Sequence, residues 1–196
     1  MIPRHLVISV AVMLGIALGM GFYVWHMRGR VISGAASNRP VMPPVSGPTE
    51  QVTLYVAYDD AGVVRPVQAR IPLPVGRQQR AEELLQALLG VYLDKSSPHP
   101  LGMGSEMRAV FLVDPGLAVI DLNAAFADSH RSGVLVEELT VASLVQSLTA
   151  NVPGITRVKI LVDGKERETL AGHADLSGFY DASSVNQLVA QMASGQ

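Results

Sequence analysis

Three histidines, His99, His130 and His173, and three carboxylates, Asp121, Asp163 and Asp175, are the residue types from which a metal site is built. Their spacing does not build one. No two histidines stand four apart on a helical stretch, no His-x-Glu pattern occurs, and the histidines fall in separate loops, so turn or surface histidines are the ordinary reading. Glu137 and Glu138 could act as an acid/base pair, but they open a helical stretch, where carboxylates offset the positive end of the helix dipole. No serine stands in a Gly-x-Ser-x-Gly elbow. Gly102-x-Gly104 lacks the Lys-Ser/Thr and the leading strand of a phosphate loop. Asp121, near a strand end, suits capping of turn amides. The chain has no Cys, which excludes disulfides, thiolate nucleophiles, cysteine-ligated zinc and a lipobox. These patterns imply no catalytic residue, no metal and no cofactor.

A polar stripe of Thr140, Ser143, Ser147 and Asn151 runs along an otherwise apolar helical stretch. Small hydroxyls at helical spacing let another element approach closely. That element is either internal, the first soluble helix or the C-terminal tail, or a second molecule. Thr140, Ser143 and Ser147, with Glu138 at the helix start, are therefore the candidate contact surface.

The chain has 196 residues, 48% of them hydrophobic, enough for one domain with a sizeable core. The formal net charge is −2 and uneven: residues 1–50 hold four Arg and one acid, and residues 51–196 hold 11 Lys/Arg against 16 Asp/Glu. An acidic soluble part lacks the basic stripe that neutralises phosphates, so nucleic acid is excluded as a partner.

Leu6 to Trp25 is an uncharged run of about 20 residues, the length that spans a bilayer as a helix. Phe22, Tyr23 and Trp25 stand at its far end, where aromatic rings favour the headgroup region. A cleaved signal peptide has a shorter apolar region, and here Arg28 and Arg30 precede the small-residue site Ser33-Gly-Ala35. Residues 1–28 are therefore expected to be a retained membrane anchor, against the alternatives of a cleaved signal and a buried helix. The flanking charges are nearly balanced and do not orient it. Gly15-x-x-x-Gly19 fits the pattern that pairs membrane helices into a homo-oligomer, although Gly and Ala are common in any anchor. Residues 29–50, with Pro40, Pro43, Pro44 and Pro48, read as a linker.

The remaining elements follow from periodicity. Val52–Tyr58 alternates as a strand, Asp59–Gly62 turns, and Val63–Ile71 pairs back, with Pro66 confining it to an edge. Ala81, Leu84, Leu85, Leu88 and Tyr92 place a helix over Gln78–Tyr92. Strands are expected at Arg108–Val113 and Leu117–Leu122. The longest soluble helix runs from Val134 to Val152 and is too apolar to be covered on one side alone. Arg157–Val162 is a strand, Asp163-Gly164 a type I′ turn, and Lys165–Leu170 a returning strand. Ser183–Met192 is amphipathic at helical spacing. The order predicts an α+β fold: a mixed sheet with two helices packed on one face, preceded by the anchor.

Several words of the sequence resemble the GerMN domain of sporulation and spore-germination proteins. They are Val52-Thr-Leu-Tyr55, Ala81-Glu-Glu-Leu-Leu-Gln-Ala-Leu-Leu-Gly90, Val119-Ile-Asp-Leu122 with Phe126, Glu138-Leu-Thr-Val141, Pro153-Gly154, and Leu161-Val-Asp-Gly-Lys165 through Gly172-His-Ala-Asp-Leu-Ser177. The resemblance covers roughly residues 52–180. It implies a fold like the ring-building motif of envelope assemblies, an extracytoplasmic address and no assigned catalytic residues. This chain departs from the family in having one module rather than a tandem pair, and an apolar helix rather than a lipobox Cys. The expected organisation is an anchor over 1–28, a linker over 29–50, a GerMN-like domain over 51–180 and a tail over 181–196. The expected role is non-enzymatic assembly on the periplasmic side of the membrane, with envelope proteins or peptidoglycan as partners. The alternative is a peptidoglycan-processing enzyme or accessory. A cleft lined by Glu138, His130 and Asp121 would favour the enzyme, and a flat sheet face with exposed apolar residues would favour assembly.

Overall fold

Val52, Leu54 and Val56 alternate into the interior of the first strand, β1 (Thr49–Tyr58), which turns at Asp59–Gly62 and pairs antiparallel with β2 (Val63–Pro72). The computed structural model describes residues 47–194. The anchor expected over 1–28, and all but the end of the linker, lie outside the described residues. No helix among the described residues is long and apolar enough to cross a membrane. Pro66 faces Tyr55 in the ladder, and among the described residues β2 has no further strand beside it, as a proline in a strand requires.

Helix α1 (Arg77–Leu93) buries Ala81, Leu84, Leu85, Leu88, Leu89, Val91 and Tyr92. Two further strands, β3 (Met107–Val113) and β4 (Leu117–Leu122), pair antiparallel, with a register shift between Met107 and Ala109. A short helix, α2 (Ala124–Asp128), follows. It is capped by Asn123, whose side chain accepts the Phe126 N–H at 2.9 Å. The long helix α3 (Val134–Asn151) comes next, and β5 (Arg157–Val162) then runs parallel to β4. A parallel ladder needs a long crossover, and α2 with α3 provides it. Strand β6 (Tyr180–Asp181) pairs antiparallel with the start of β5 and leads into α4 (Ala182–Ser194).

The α+β class holds, but the strands do not make the one mixed sheet expected. They form a two-stranded sheet, β1-β2, and a four-stranded sheet, β3-β4-β5-β6. The reason is that α3 lies along β1 and takes the place of a neighbouring strand. The helix is covered by β1, α1 and α4. The expectation that it is covered on more than one side is met from within the chain.

The hairpin expectation is half right. Asp163 (φ 50°) and Gly164 (φ 71°) both adopt the positive φ of a type I′ turn, and Val162 and Lys165 exchange backbone hydrogen bonds. The return stops there: only Lys165 bridges back, and no strand forms over Lys165–Leu170. The segment is drawn away instead. Leu170, Ala174 and Leu176 are buried in the core, and the buried Lys159 ammonium donates to the carbonyls of Leu176 at 3.0 Å and Ser177 at 2.6 Å.

Candidate functional site

The polar stripe of α3 is internal. Thr140, Ser143 and Ser147 are each fully buried, so they offer no surface to a partner. What they meet is the free edge of β1. The Tyr55 N–H donates to Ser147 Oγ at 2.8 Å, and the Ser143 hydroxyl donates to Tyr55 O at 2.6 Å. Asn151 accepts from the Thr53 N–H and donates to Thr53 O. The Ala57 N–H donates to the Tyr92 hydroxyl at 2.9 Å. The match is one of spacing. Four residues of helix rise about 6 Å, and two residues of strand rise about 6.8 Å. Side chains at 143, 147 and 151 therefore keep step with the outward-facing backbone groups at 53 and 55. The hydroxyls act as a substitute strand and close an edge that would otherwise template aggregation. Gln78 of α1 does the same for β3: its amide donates to Val110 O and accepts from Leu112 N.

One turn before Ser143, Thr140 collects two histidines. His99 Nε2 and His130 Nε2 each lie 2.7 Å from Thr140 Oγ1. His99 Nδ1 lies 2.6 Å from Asp59 Oδ1, and Arg131 completes the cluster by pairing with Asp59 Oδ2 at 2.5 Å. His130 Nδ1 lies 2.7 Å from Arg131 O. These are buried groups rather than the surface histidines expected. Both Nδ1 atoms face oxygens that only accept, so both carry protons. Thr140 Oγ1 is the common partner of both Nε2 atoms, and its own hydroxyl donates to Val136 O at 3.0 Å. Burial pushes His130 below the usual histidine range, with the neighbouring His99 adding to this; the Arg131 carbonyl and the Glu137 and Asp59 carboxylates act against it.

Asp59, His99 and Thr140 are arranged like an acid–base–nucleophile triad. A triad acts only if its hydroxyl meets substrate. Thr140 Oγ1 is buried, shared with a second imidazole and bonded to Val136 O at 3.0 Å. The geometry locks the α3 start to the 94–100 and 129–133 loops and keeps the hydroxyl away from the surface.

Glu137 is the second buried charge. Its Oε1 accepts the Gly133 N–H at 3.0 Å. Its Oε2 accepts the N–H groups of Ala171, His173 and Ala174, each at 2.9 Å. His173 Nδ1 lies 2.9 Å from Oε1. Burial alone would raise this carboxyl, but the amides and the imidazole outweigh it and bring it down to about 2. The helix-start reading of Glu137 is thus enlarged: it also pins a distant loop. Asp121 accepts the Gly164 N–H at 2.7 Å, as a capping aspartate should, though across the sheet rather than to its own next turn. Asp163 pairs with Arg108 at 3.0 Å, and Asp175 accepts from Ser177. No group of three or more His, Asp or Glu among the described residues could hold a metal ion.

Glu138, beside Glu137, is half-exposed. It lines a groove of about 370 Å³ between α3, α4 and the 173–180 segment, walled by Val141, Ala142, Val185 and Leu188. His130 and Asp121 are absent from its walls. On the outer face of the four-stranded sheet, Phe111 and Val113 stand 54% and 47% exposed beside the half-buried Val119 and Leu117. Neither the groove nor the edge-closing role of the α3 stripe was foreseen from sequence. The signal for the stripe was its four-residue spacing.

A family model described as "Germane: Sporulation and spore germination" matches residues 53–168. No curated protein matches. Among solved structures, the chain is similar to a candidate lipoprotein from Clostridium perfringens at 21% identity and a TM-score of 0.49, covering 75% of this chain and 97% of that one. It is similar to the first GerMN domain of the sporulation protein GerM from Bacillus subtilis at 19% identity and a TM-score of 0.46, covering 65% of this chain and 93% of that one. The tandem GerMN domains of the same protein give 18% identity and a TM-score of 0.49, with 69% of this chain and 47% of that one covered. With a family match over more than half its length, the chain belongs to the Germane family of sporulation and spore-germination proteins, whose domain is the GerMN module.

Proposed function

We propose that this protein is a non-enzymatic envelope module: an anchor over residues 1–28 and a linker over 29–50 hold the GerMN domain on the extracytoplasmic side, where it works by protein contact. The observation that carries the reading is the outer sheet face. Phe111 and Val113 are large, exposed and adjacent, and Leu117 and Val119 widen the patch beside them. Contiguous apolar surface of this kind marks contact sites. Arg157 borders the patch, being paired with Leu117 in the ladder, and its guanidinium lies over the Phe179 ring. An apolar patch edged by a cation suits an envelope protein with an apolar surface and an acidic rim.

The enzyme alternative receives no support from the residues that would have favoured it. Glu138, His130 and Asp121 do not share a cleft, and the triad-like hydroxyl is buried. The test is in-cell photocrosslinking of the full-length protein through a reactive residue placed at 111, with a control at position 75, which is more exposed (95% against 54%) and lies outside the sheet. Contact through the sheet predicts a discrete adduct from 111 that Val113→Glu and Arg157→Glu abolish. A dimer-sized adduct would name a second copy as the partner in place of another envelope protein. Equal labelling from 111 and 75, or adducts indifferent to both substitutions, overturns the reading.

A further inference from the structure

The groove beside Glu138 has a chemistry that the contact reading leaves unused. Its walls are aliphatic: Val141 and Ala142 from α3, Val185 and Leu188 from α4. Its polar lining is made of acceptors. The Glu138 side chain makes no hydrogen bond or ion pair among the described residues. Asp175 contributes a second carboxylate, of which Oδ1 takes the Ser177 N–H and hydroxyl. His173 also lines the groove, and its Nδ1 is held against Glu137, which leaves Nε2 as the ring's uncommitted nitrogen. Tyr180 spends its hydroxyl proton on Asp175 O. The neighbouring cation, Lys159, is committed to the Leu176 and Ser177 carbonyls and to Glu166 at 3.3 Å.

We infer that this groove binds a primary ammonium carried on an aliphatic stem, the chemistry of a lysine-type side chain. The stem would lie on Val141, Ala142, Val185 and Leu188. The three donors of the ammonium would meet the Glu138 carboxylate, Asp175 Oδ2 and His173 Nε2, the acceptors that the fold leaves uncommitted. The field in the groove agrees in sign. Tyr180 is pushed up to about 12, first by burial and then by the Asp175 and Glu138 carboxylates, which disfavour a further negative charge and favour a positive one. The wall is pre-formed, because Glu137 fixes residues 171–174 through three amides. This goes beyond the contact reading; the groove shares Phe179 with it, but the groups that would hold the ammonium, Glu138, Asp175 and His173, take no part in it, so either can fail without the other.

The test is calorimetric and NMR titration of the full-length protein in detergent. Three probes are used: an acetyl-Ala-Lys-Ala-amide peptide, the same peptide with norleucine for lysine, and 1,5-diaminopentane. The lysine peptide should bind and shift the Ala174 and Gly178 amides. The norleucine peptide should bind about tenfold more weakly or worse, since it keeps the stem and loses the charge-assisted bonds. Glu138→Gln, at a half-exposed position outside the core, should weaken the lysine peptide by a similar factor and leave the norleucine peptide unchanged. Raising salt should weaken the lysine peptide alone. Tighter binding of the peptide than of the diamine assigns the groove to a peptide side chain, and equal binding assigns it to a free amine. No binding of either amine up to about 10 mM, equal binding of the norleucine peptide, or indifference to Glu138→Gln overturns the inference.

Discussion

Asn151 holds Thr53 by both ends: its Oδ1 accepts the Thr53 N–H at 3.2 Å and its Nδ2 donates to Thr53 O at 2.8 Å. A side-chain amide thus reproduces what a neighbouring strand would offer. Ser147 and Ser143 repeat the device at Tyr55. Ser147 is the member to test, because it is fully buried and its replacement by alanine changes little volume. Ser147→Ala leaves the Tyr55 N–H without an acceptor and should destabilise the domain by about 1–3 kcal/mol. Urea denaturation followed by circular dichroism measures it. An unchanged midpoint would mean that the edge of β1 does not depend on this hydroxyl.

Glu137 gives the fold an acid limit. Its carboxyl is held at about 2, below the ordinary glutamate value of 4.5. A group whose folded pKa is depressed adds stability that is present above the unfolded value and is lost as pH falls through the folded value. The window is therefore about pH 4.5 down to about 2. Other carboxylates, Asp94 and Asp175 among them, are lowered too, so the readout is a difference. The gap in stability between the parent and Glu137→Gln should be of order 2 kcal/mol at pH 6 and should shrink as pH falls through that window. A gap that stays constant between pH 6 and pH 2 would show that the carboxylate charge is not what holds residues 171–174.

Much of the framework could be read before the structure. Strands β4 and β5 fall where alternation places them, and α1 and α3 differ from their expected limits by one residue. Periodicity is local, and so is the positive φ demanded by Asp163-Gly164. What could not be read depends on distant competitors. The return strand after Gly164 fails because Glu137, on another element, takes the amides of 171–174, and because Lys159 takes the carbonyls of Leu176 and Ser177. Helix α2, at five residues, is too short to show a helical period, although Asn123 marks its start. The hydroxyl stripe was visible as a close-approach surface. That its neighbour is a strand edge, not a helix or a second molecule, depends on β1 having only one strand partner. His99 and His130 meet because two loops converge on Thr140, and nothing in their separation of 31 residues foretells it.

Thr140→Val is the sharpest probe of that meeting. It preserves the shape and removes the hydroxyl that both Nε2 atoms use. Two buried imidazole nitrogens then lose their partner, and the expected loss is about 2–4 kcal/mol, with Thr140→Ser recovering most of it. Nitrogen-15 NMR of the rings in the parent should show Nδ1 protonated on both histidines. A valine variant as stable as the parent would show that the cluster is dispensable to the fold.

Gly164 combines two demands. Its φ of 71° is strained for any β-branched residue, and its N–H donates to Asp121 Oδ1 at 2.7 Å. Gly164→Val should destabilise by about 1–3 kcal/mol. Gly164→Asn, which tolerates positive φ, should recover most of that loss. Thermal midpoints of the three proteins should fall in the order glycine, asparagine, valine. Equal midpoints would place the turn outside the cooperative unit.

The C-terminal helix ties stability to the groove. Val185 and Val189 are buried, and α4 packs against α3 and β2. Removing residues 182–196 uncovers these contacts together with the Val141 and Ala142 side of the long helix. Burying one valine contributes about 1.5–3 kcal/mol, so the two together suggest a loss of roughly 3–6 kcal/mol, an upper range because a truncated surface can relax. That is a large share of the stability of a domain this size. A chain ending at Asp181 should therefore unfold at markedly lower urea, and it should bind apolar dyes in the native baseline. Val189→Ala separates the two effects: it should lower stability by about 1–2 kcal/mol while leaving the Glu138 side of the groove intact. If the truncated chain matched the full one in midpoint and in dye binding, α4 would be an appendage, and the groove would have lost one of its walls without consequence for the fold.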